Sequence, residues 1–75
     1  MTAQALLSLY GGSLLGRHVV TVQIGEYPGG LAEVIELLPD PAAPEIVFNV
    51  NHPTFGEIGV FDWEPVQLVN LGVSP

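Results

Sequence analysis

The segment His18-Val-Val-Thr-Val-Gln-Ile24 is rich in β-branched residues and runs directly into Gly25-Glu26-Tyr27-Pro28-Gly29-Gly30. Val20, Val22 and Ile24 share one face and Val19, Thr21 and Gln23 the other, which is the period of a strand and not of a helix. The glycines and Pro28 supply the backbone freedom and the fixed φ of a turn. Leu31 to Leu38 then resumes the apolar pattern, so the first hairpin of a small β domain is predicted here. The second strand changes phase: Ala32 and Val34 suit one face, Ile35 and Leu37 the other. A β-bulge near Val34-Ile35 is the expected cause, and bulges of this kind bend the strands of small barrels.

A chain of 75 residues makes one domain and buries only about 60% of the surface its unfolded form exposes. It has no cysteine, so neither a disulfide nor a thiolate zinc site staples it. Closure of the sheet or association with a second chain is expected to take that role. Hydrophobic residues make up 48% and charged residues 12%, against about 25% charged in an ordinary soluble domain. With so few polar groups to cover it, part of the outside is expected to be buried, most simply in a homodimer.

The net charge of −7 comes from absent cations: Arg17 is the only base apart from the histidines. Phosphate binding draws its affinity from lysine and arginine, so direct binding to nucleic acid or to an anionic membrane is disfavoured, and protein is the expected partner. No apolar run reaches the roughly 18 residues of a membrane span, and no base precedes Arg17 to form the start of a signal peptide. A cytoplasmic location is expected.

Residues 1–16 form an N-terminal segment with two readings. It is either a helix capped by Thr2 and stopped at Gly11-Gly12, with Ala3, Leu6, Leu7 and Tyr10 on one face, or an extra strand. The β domain proper spans 17–72. Pro39-Asp40-Pro41-Ala42-Ala43-Pro44 is too poor in amide hydrogens for a central strand and reads as a loop. Glu45 to Asn51 is a third strand, with Ile46, Phe48 and Val50 opposite Val47, Asn49 and Asn51. His52 to Gly56 turns the chain into a fourth strand, Glu57 to Phe61, with Ile58 and Val60 inward. Asp62-Trp63-Glu64-Pro65 reads as a single 3₁₀ turn capped by Asp62. Val66 to Leu71 is the last strand, and 73–75 is a tail.

This order, five short strands with a broad turn after the first and a helical turn before the last, resembles the SH3-like barrels, and among them the KOW and Tudor-type modules. Val20, Val22 and Gly25, then Gly29, Ala32, Val34 and Leu37, follow the KOW pattern of alternating valines, a glycine turn and a reopened second strand. The resemblance implies a mainly β, five-stranded SH3-like barrel. It does not carry the RNA role of that family, because Glu26, Tyr27 and Pro28 stand where KOW modules place basic residues. The plasmid-type dihydrofolate reductases are also SH3-like. Val22-Gln23-Ile24 followed by Tyr27 is similar to their active-site run, but it is interrupted by Gly25-Glu26 and lies in the first strand.

Gly11 to His18 has the glycine spacing of a phosphate loop, with Arg17 in place of the lysine and His18 in place of the hydroxyl. It leads into a strand, whereas the motif needs a helix N-terminus. His18 and His52 are the only imidazoles and have no carboxylate or cysteine cluster at ligand spacing. His52 with Glu57 is the best acid–base pair available. Glu33 with Glu36, and Asp62 with Glu64, read as solvated faces and a turn cap rather than paired catalytic carboxylates. No catalytic residue, cofactor or metal is therefore expected, and the protein reads as a non-enzyme.

Trp63 beside Phe61 and Tyr27 forms either an aromatic groove of the kind with which SH3-like folds hold proline-rich or methylated peptides, or a plug for the barrel end. Tyr27, Phe61 and Trp63 are the candidate protein-binding residues. Val19, Val47, Val69 and Leu71 are the candidate self-association residues, as apolar groups expected to face outward. The leading expectation is a non-enzymatic protein-interaction or assembly module. The alternatives are an acidic inhibitor or nucleic-acid mimic acting on a basic partner, and a small-molecule enzyme built at an oligomer pore.

Overall fold

Thr2 has extended backbone and accepts the Ala5 amide on its hydroxyl at 3.1 Å, starting helix α1 at Ala3–Tyr10. Gly11 ends the helix in a positive-φ conformation, φ 55°, with its amide on the Leu7 carbonyl. A 3₁₀ turn, Gly11–Leu14, leads on to the sheet. The computed structural model describes residues 1–26, 28–38 and 45–69. Residues 27, 39–44 and 70–75 lie outside the described residues, and so do the expectations for Tyr27, for a loop at 39–44, for Leu71 and for a tail at 73–75.

Five antiparallel strands follow: β1 (His18–Thr21), β2 (Gly30–Leu37), β3 (Ile46–His52), β4 (Gly56–Phe61) and β5 (Val66–Val69). They form one sheet in the order β4-β3-β2-β1-β5. The β2–β3 register slips between Val34 and Glu36, leaving Ile35 as the inserted residue at the point where the apolar pattern changes phase. A second slip, between Ile46 and Phe48, bends β3 against β4. It lets the successive residues Val47 and Phe48 both enter the core.

The expected closed barrel is replaced by an open sheet, because no β4–β5 ladder forms among the described residues. The N-terminal segment takes up the edge of β5 instead. Val66 N–H donates to the Met1 carbonyl at 2.8 Å, and Thr2 bridges Pro65. Helix α1 then packs across β3, β4 and β5, so that a helix spans from one sheet edge to the other.

The core joins Ala3, Leu6 and Leu14 to Val19, Val34, Val47, Phe48, Val50, Val60 and Val66. Two of the expected outward residues are therefore inside: Val19 is 0% exposed and Val47 2%. β1 is apolar on both faces, and the face covered by the helix side carries Val19 and Thr21, leaving Val20 and Val22 in solvent. Alternation alone does not choose between two apolar faces.

The turn before β5 also differs from expectation in its cap. The Glu64 amide donates to the Phe61 carbonyl at 3.1 Å, and the Glu64 carboxylate, not that of Asp62, accepts the Phe61 amide at 3.2 Å. Glu64 is 5% exposed. Burial raises its carboxyl above the usual range, and the amide bond from Phe61 opposes that rise in part. A carboxyl raised on folding holds its proton in the native state where the unfolded chain has lost it. Its stabilising contribution is thus complete below the unfolded value of 4.5 and is lost as pH rises through the folded value. Glu64→Gln keeps an oxygen for the Phe61 amide and removes the buried charge. It should stabilise the fold by about 1 kcal/mol at pH 7 and by little below pH about 4, measured by urea unfolding at the two pH values.

Gly29 sits so close to the end of β1 that an added Cβ would lie 2.6 Å from the Gln23 nitrogen and 2.8 Å from the Val22 carbonyl carbon. Both are backbone atoms and cannot turn aside. At Gly59 the corresponding obstacle is the Ile46 Cδ1 methyl at 2.8 Å, the far end of a flexible side chain. Gly29→Ala should cost about 3 kcal/mol or more and Gly59→Ala about 1 kcal/mol, with the difference read from their denaturant midpoints.

Candidate functional site

Strand β4 ends at Phe61, and the tight turn that follows puts Trp63 on the same side of the chain. The two rings stack with centroids 5.6 Å apart and planes 8° from parallel, an offset arrangement favoured by the ring quadrupoles. Phe61 is half-buried, while Trp63 is 55% exposed. The tryptophan is therefore a shelf and not a plug.

The turn is held from several directions. Ala3 N–H donates to the Glu64 carbonyl at 2.8 Å and Gln4 N–H to the Asp62 carbonyl at 3.0 Å, so the first amides of α1 are satisfied by this turn. Asp62 N–H donates to the Glu45 carbonyl at 3.1 Å. Glu45 is the one non-glycine residue with positive φ among those described, at 61°. The Glu45 carboxyl is raised above its usual range, first by a hydrogen bond with the Asp62 carboxyl, then by that group's like charge, and last by burial. Two carboxyls thus share the corner that carries the aromatic stack.

The opposite end of β4 is organised by His52. Thr54 and Phe55 amides donate to its Nδ1 at 3.1 and 3.3 Å, which assigns the ring hydrogen to Nε2, 3.1 Å from the Gly29 carbonyl. The imidazole thereby ties the β3–β4 turn to the β1–β2 connection. Phe55 leans on it at 5.3 Å between centroids and is itself exposed. Glu26, Pro28, Phe55 and Ile58 line an open cleft of about 420 Å³. Of the three aromatics singled out from the sequence, the structure brings Phe61 and Trp63 together. Tyr27 lies outside the described residues.

His52 does not pair with Glu57. The Glu57 carboxylate accepts from Asn49 Nδ2 at 3.0 Å, and the same amide donates to Glu36 at 3.0 Å. His18 stands opposite Glu33 in the β1–β2 register, and both line a cleft of about 240 Å³ with Leu31 and Asn51. No group of three histidine or acidic side chains suited to a metal occurs among the described residues. The glycine-spaced segment from Gly11 runs from a helix C-terminus into β1, so its amides do not form a helix N-terminus.

A third surface is the outer face of β1 and β2. Val20 and Leu31 are cross-strand partners, exposed together with Val22. Val20 and Val22 line a cleft of about 290 Å³ with Met1, Pro65 and Gln67. Val69 is opposite His18 and belongs to the same face, half-buried. Of the self-association residues expected from sequence, Val69 alone among the described ones is on this face. Val20 and Val22 are absent from that expectation because an outward Val19 turns their face inward, and Leu31 because the irregular alternation of the second strand gives it no face. The roles of Asn49, His52 and Glu64 depend on which neighbours the fold delivers, and no local motif announces them.

Comparison with models of known families, with characterised proteins and with solved structures gives no match to this chain.

Proposed function

We propose that the protein is a non-enzymatic protein-interaction module of SH3-like type whose contact surface is the Phe61–Trp63 shelf. One observation carries this reading: an indole more than half exposed is stacked on a half-buried ring. An aromatic group fixed in this way offers a large apolar face at little entropic cost, since the order needed for binding already exists. The strand order β4-β3-β2-β1-β5, with its broad connection after β1 and tight turn before β5, supports the family resemblance.

The test is selection of peptides from a random displayed library on the wild-type protein and on Trp63→Ala. A sequence consensus that appears on the wild type and is lost on the variant is expected. Absence of any consensus on the wild type would remove the reading. Basic sequences retained equally by both proteins would favour a second one, the acidic inhibitor or nucleic-acid mimic. The feature behind that second reading is the Asn49 amide, which holds the Glu36 and Glu57 carboxylates together across three strands.

The module also self-associates in this reading, through the outer face of β1 and β2. Exposed Val20, Val22 and Leu31 form an apolar patch on a chain with only 12% charged residues. A cytoplasmic setting is part of the same proposal; among the described residues no helix is long and apolar enough to cross a membrane. Size-exclusion chromatography with light scattering should give a dimer for the wild type and a monomer for Val20→Lys. A monomeric wild type at micromolar concentration would refute the self-association.

A further inference from the structure

We propose that the outer edge of β4 takes up an extended segment of a basic partner protein as an added antiparallel strand. This surface is separate from the Trp63 shelf.

The direction of the β4 backbone groups follows from its C-terminal end. The Asp62 N–H is turned to the β3 side, onto the Glu45 carbonyl at 3.1 Å. Phe61 is turned the other way: its N–H reaches the Glu64 carboxylate at 3.2 Å and its carbonyl accepts the Glu64 N–H at 3.1 Å. Peptide groups alternate along an antiparallel strand, and the slip in the β3–β4 register inserts its extra residue in β3, leaving β4 regular. Glu57 and Gly59 therefore present their N–H and C=O groups to the outer edge. Among the described residues no strand pairs there.

The other edge of the sheet is covered by the chain itself. The Val66 N–H donates to the Met1 carbonyl at 2.8 Å, and the Met1 amino group donates to the Val66 carbonyl at 3.3 Å. β4 carries no lysine, proline or bulge to blunt its edge. Its one charged side chain, Glu57, leans back over the sheet to the Asn49 amide at 3.0 Å, and Gly59 has no side chain to stand in the way. Only at Phe61 is the edge closed, by Glu64, which confines an added strand to the residues before it.

The side chains select the occupant. Residues paired in an antiparallel ladder share a face, so the residue opposite Glu57 lies beside that carboxylate, on the face where Asn49 also holds Glu36 at 3.0 Å. A lysine or arginine fits that position. The next residue points to the opposite face beside Ile58, which packs against the core, and is apolar. A second copy of this chain has no such basic and apolar alternation to offer, since it lacks lysine and its one arginine, Arg17, lies 5.8 Å from the centre of the Tyr10 ring. The occupant is therefore another protein, and the net charge of −7 speeds the approach of a basic one.

The test uses the capped peptide Lys-Val-Lys-Val-Lys-Val and two forms of it, N-methylated on the lysine amides or on the valine amides. In this pairing the lysine amides face β4 and the valine amides face solvent. The parent and valine-methylated peptides should saturate the amide chemical shifts of β4, and the lysine-methylated form should bind about tenfold more weakly or worse. In the saturated complex, hydrogen exchange at the Glu57 and Gly59 amides should slow by about tenfold or more. Glu57→Lys should weaken the parent peptide about tenfold with circular dichroism unchanged, and Trp63→Ala should leave its affinity as it is.

Equal affinity for the two methylated peptides would overturn strand addition, leaving only the diffuse attraction expected of an acidic mimic. Failure of the parent peptide to saturate, or unchanged exchange at Glu57 and Gly59 in its presence, would overturn it too. Loss of binding in Trp63→Ala would move the occupant to the shelf and remove the β4 assignment while the interaction-module reading stands. Exchange protection of both amides in the peptide-free protein that disappears on dilution would identify a second copy on this edge and refute the basic partner.

Discussion

The backbone bonds between residues 1–4 and the corner 62–66 are the joint on which this structure depends. A helix of eight residues is marginal in isolation, and its first amides need acceptors. The corner provides them through the Asp62 and Glu64 carbonyls. The corner in turn needs the helix, because Val66 and the edge of β5 would otherwise face solvent, and because Ala3 and Leu6 complete the core above Val60 and Val66. Each side satisfies what the other leaves open, which is how a chain with no cysteine, and no closed strand ladder among the described residues, holds a single core.

The same joint explains why an exposed tryptophan can be well ordered. Trp63 sits at the tip of a four-residue turn whose carbonyls are engaged by α1 and whose first amide is held by the buried Glu64 carboxylate. The anchoring lies on the inner side of the turn, so the indole is left to project outward. A buried carboxyl with raised proton affinity is the cost of this arrangement, and the Phe61 amide offsets part of it. Removing the helix would cost more than core contacts, since it would release the shelf.

Much of the fold was legible because it follows from local chemistry. Thr2 and Gly11 bound the helix through a cap hydroxyl and a positive φ, and the change of phase at Val34-Ile35 announced the bulge. The orientation of β1 was not legible. Val19 and Val20 differ in position but not in character, and only the helix, a distant partner, decides which of them is buried. Val47 was misplaced for a related reason: strict alternation cannot foresee a slip that turns two neighbours inward. At the site, the spacing of Phe61 and Trp63 already placed them on one side of an extended chain, whereas the exposure of Trp63 depends on the turn. Asp62 and Glu64 are equivalent as sequence signals for a cap. Glu64 takes the role as the buried one of the two, its carboxylate turned back onto the Phe61 amide.

The two ends of β4 show why aromatic exposure alone does not identify a contact surface. Phe55 is as exposed as Trp63, but its support is the edge of an imidazole tilted by 59°, and His52 already uses both ring nitrogens to hold the loop beneath it. That end is built to fasten one connection to another. At the far end, Phe61 supports Trp63 face to face, and the Asp62 carboxyl beside them raises the proton affinity of Glu45. A fastening consumes its hydrogen-bonding capacity within the fold. The Trp63 corner keeps an open aromatic plane beside acidic charge, and binding from outside is what this combination favours.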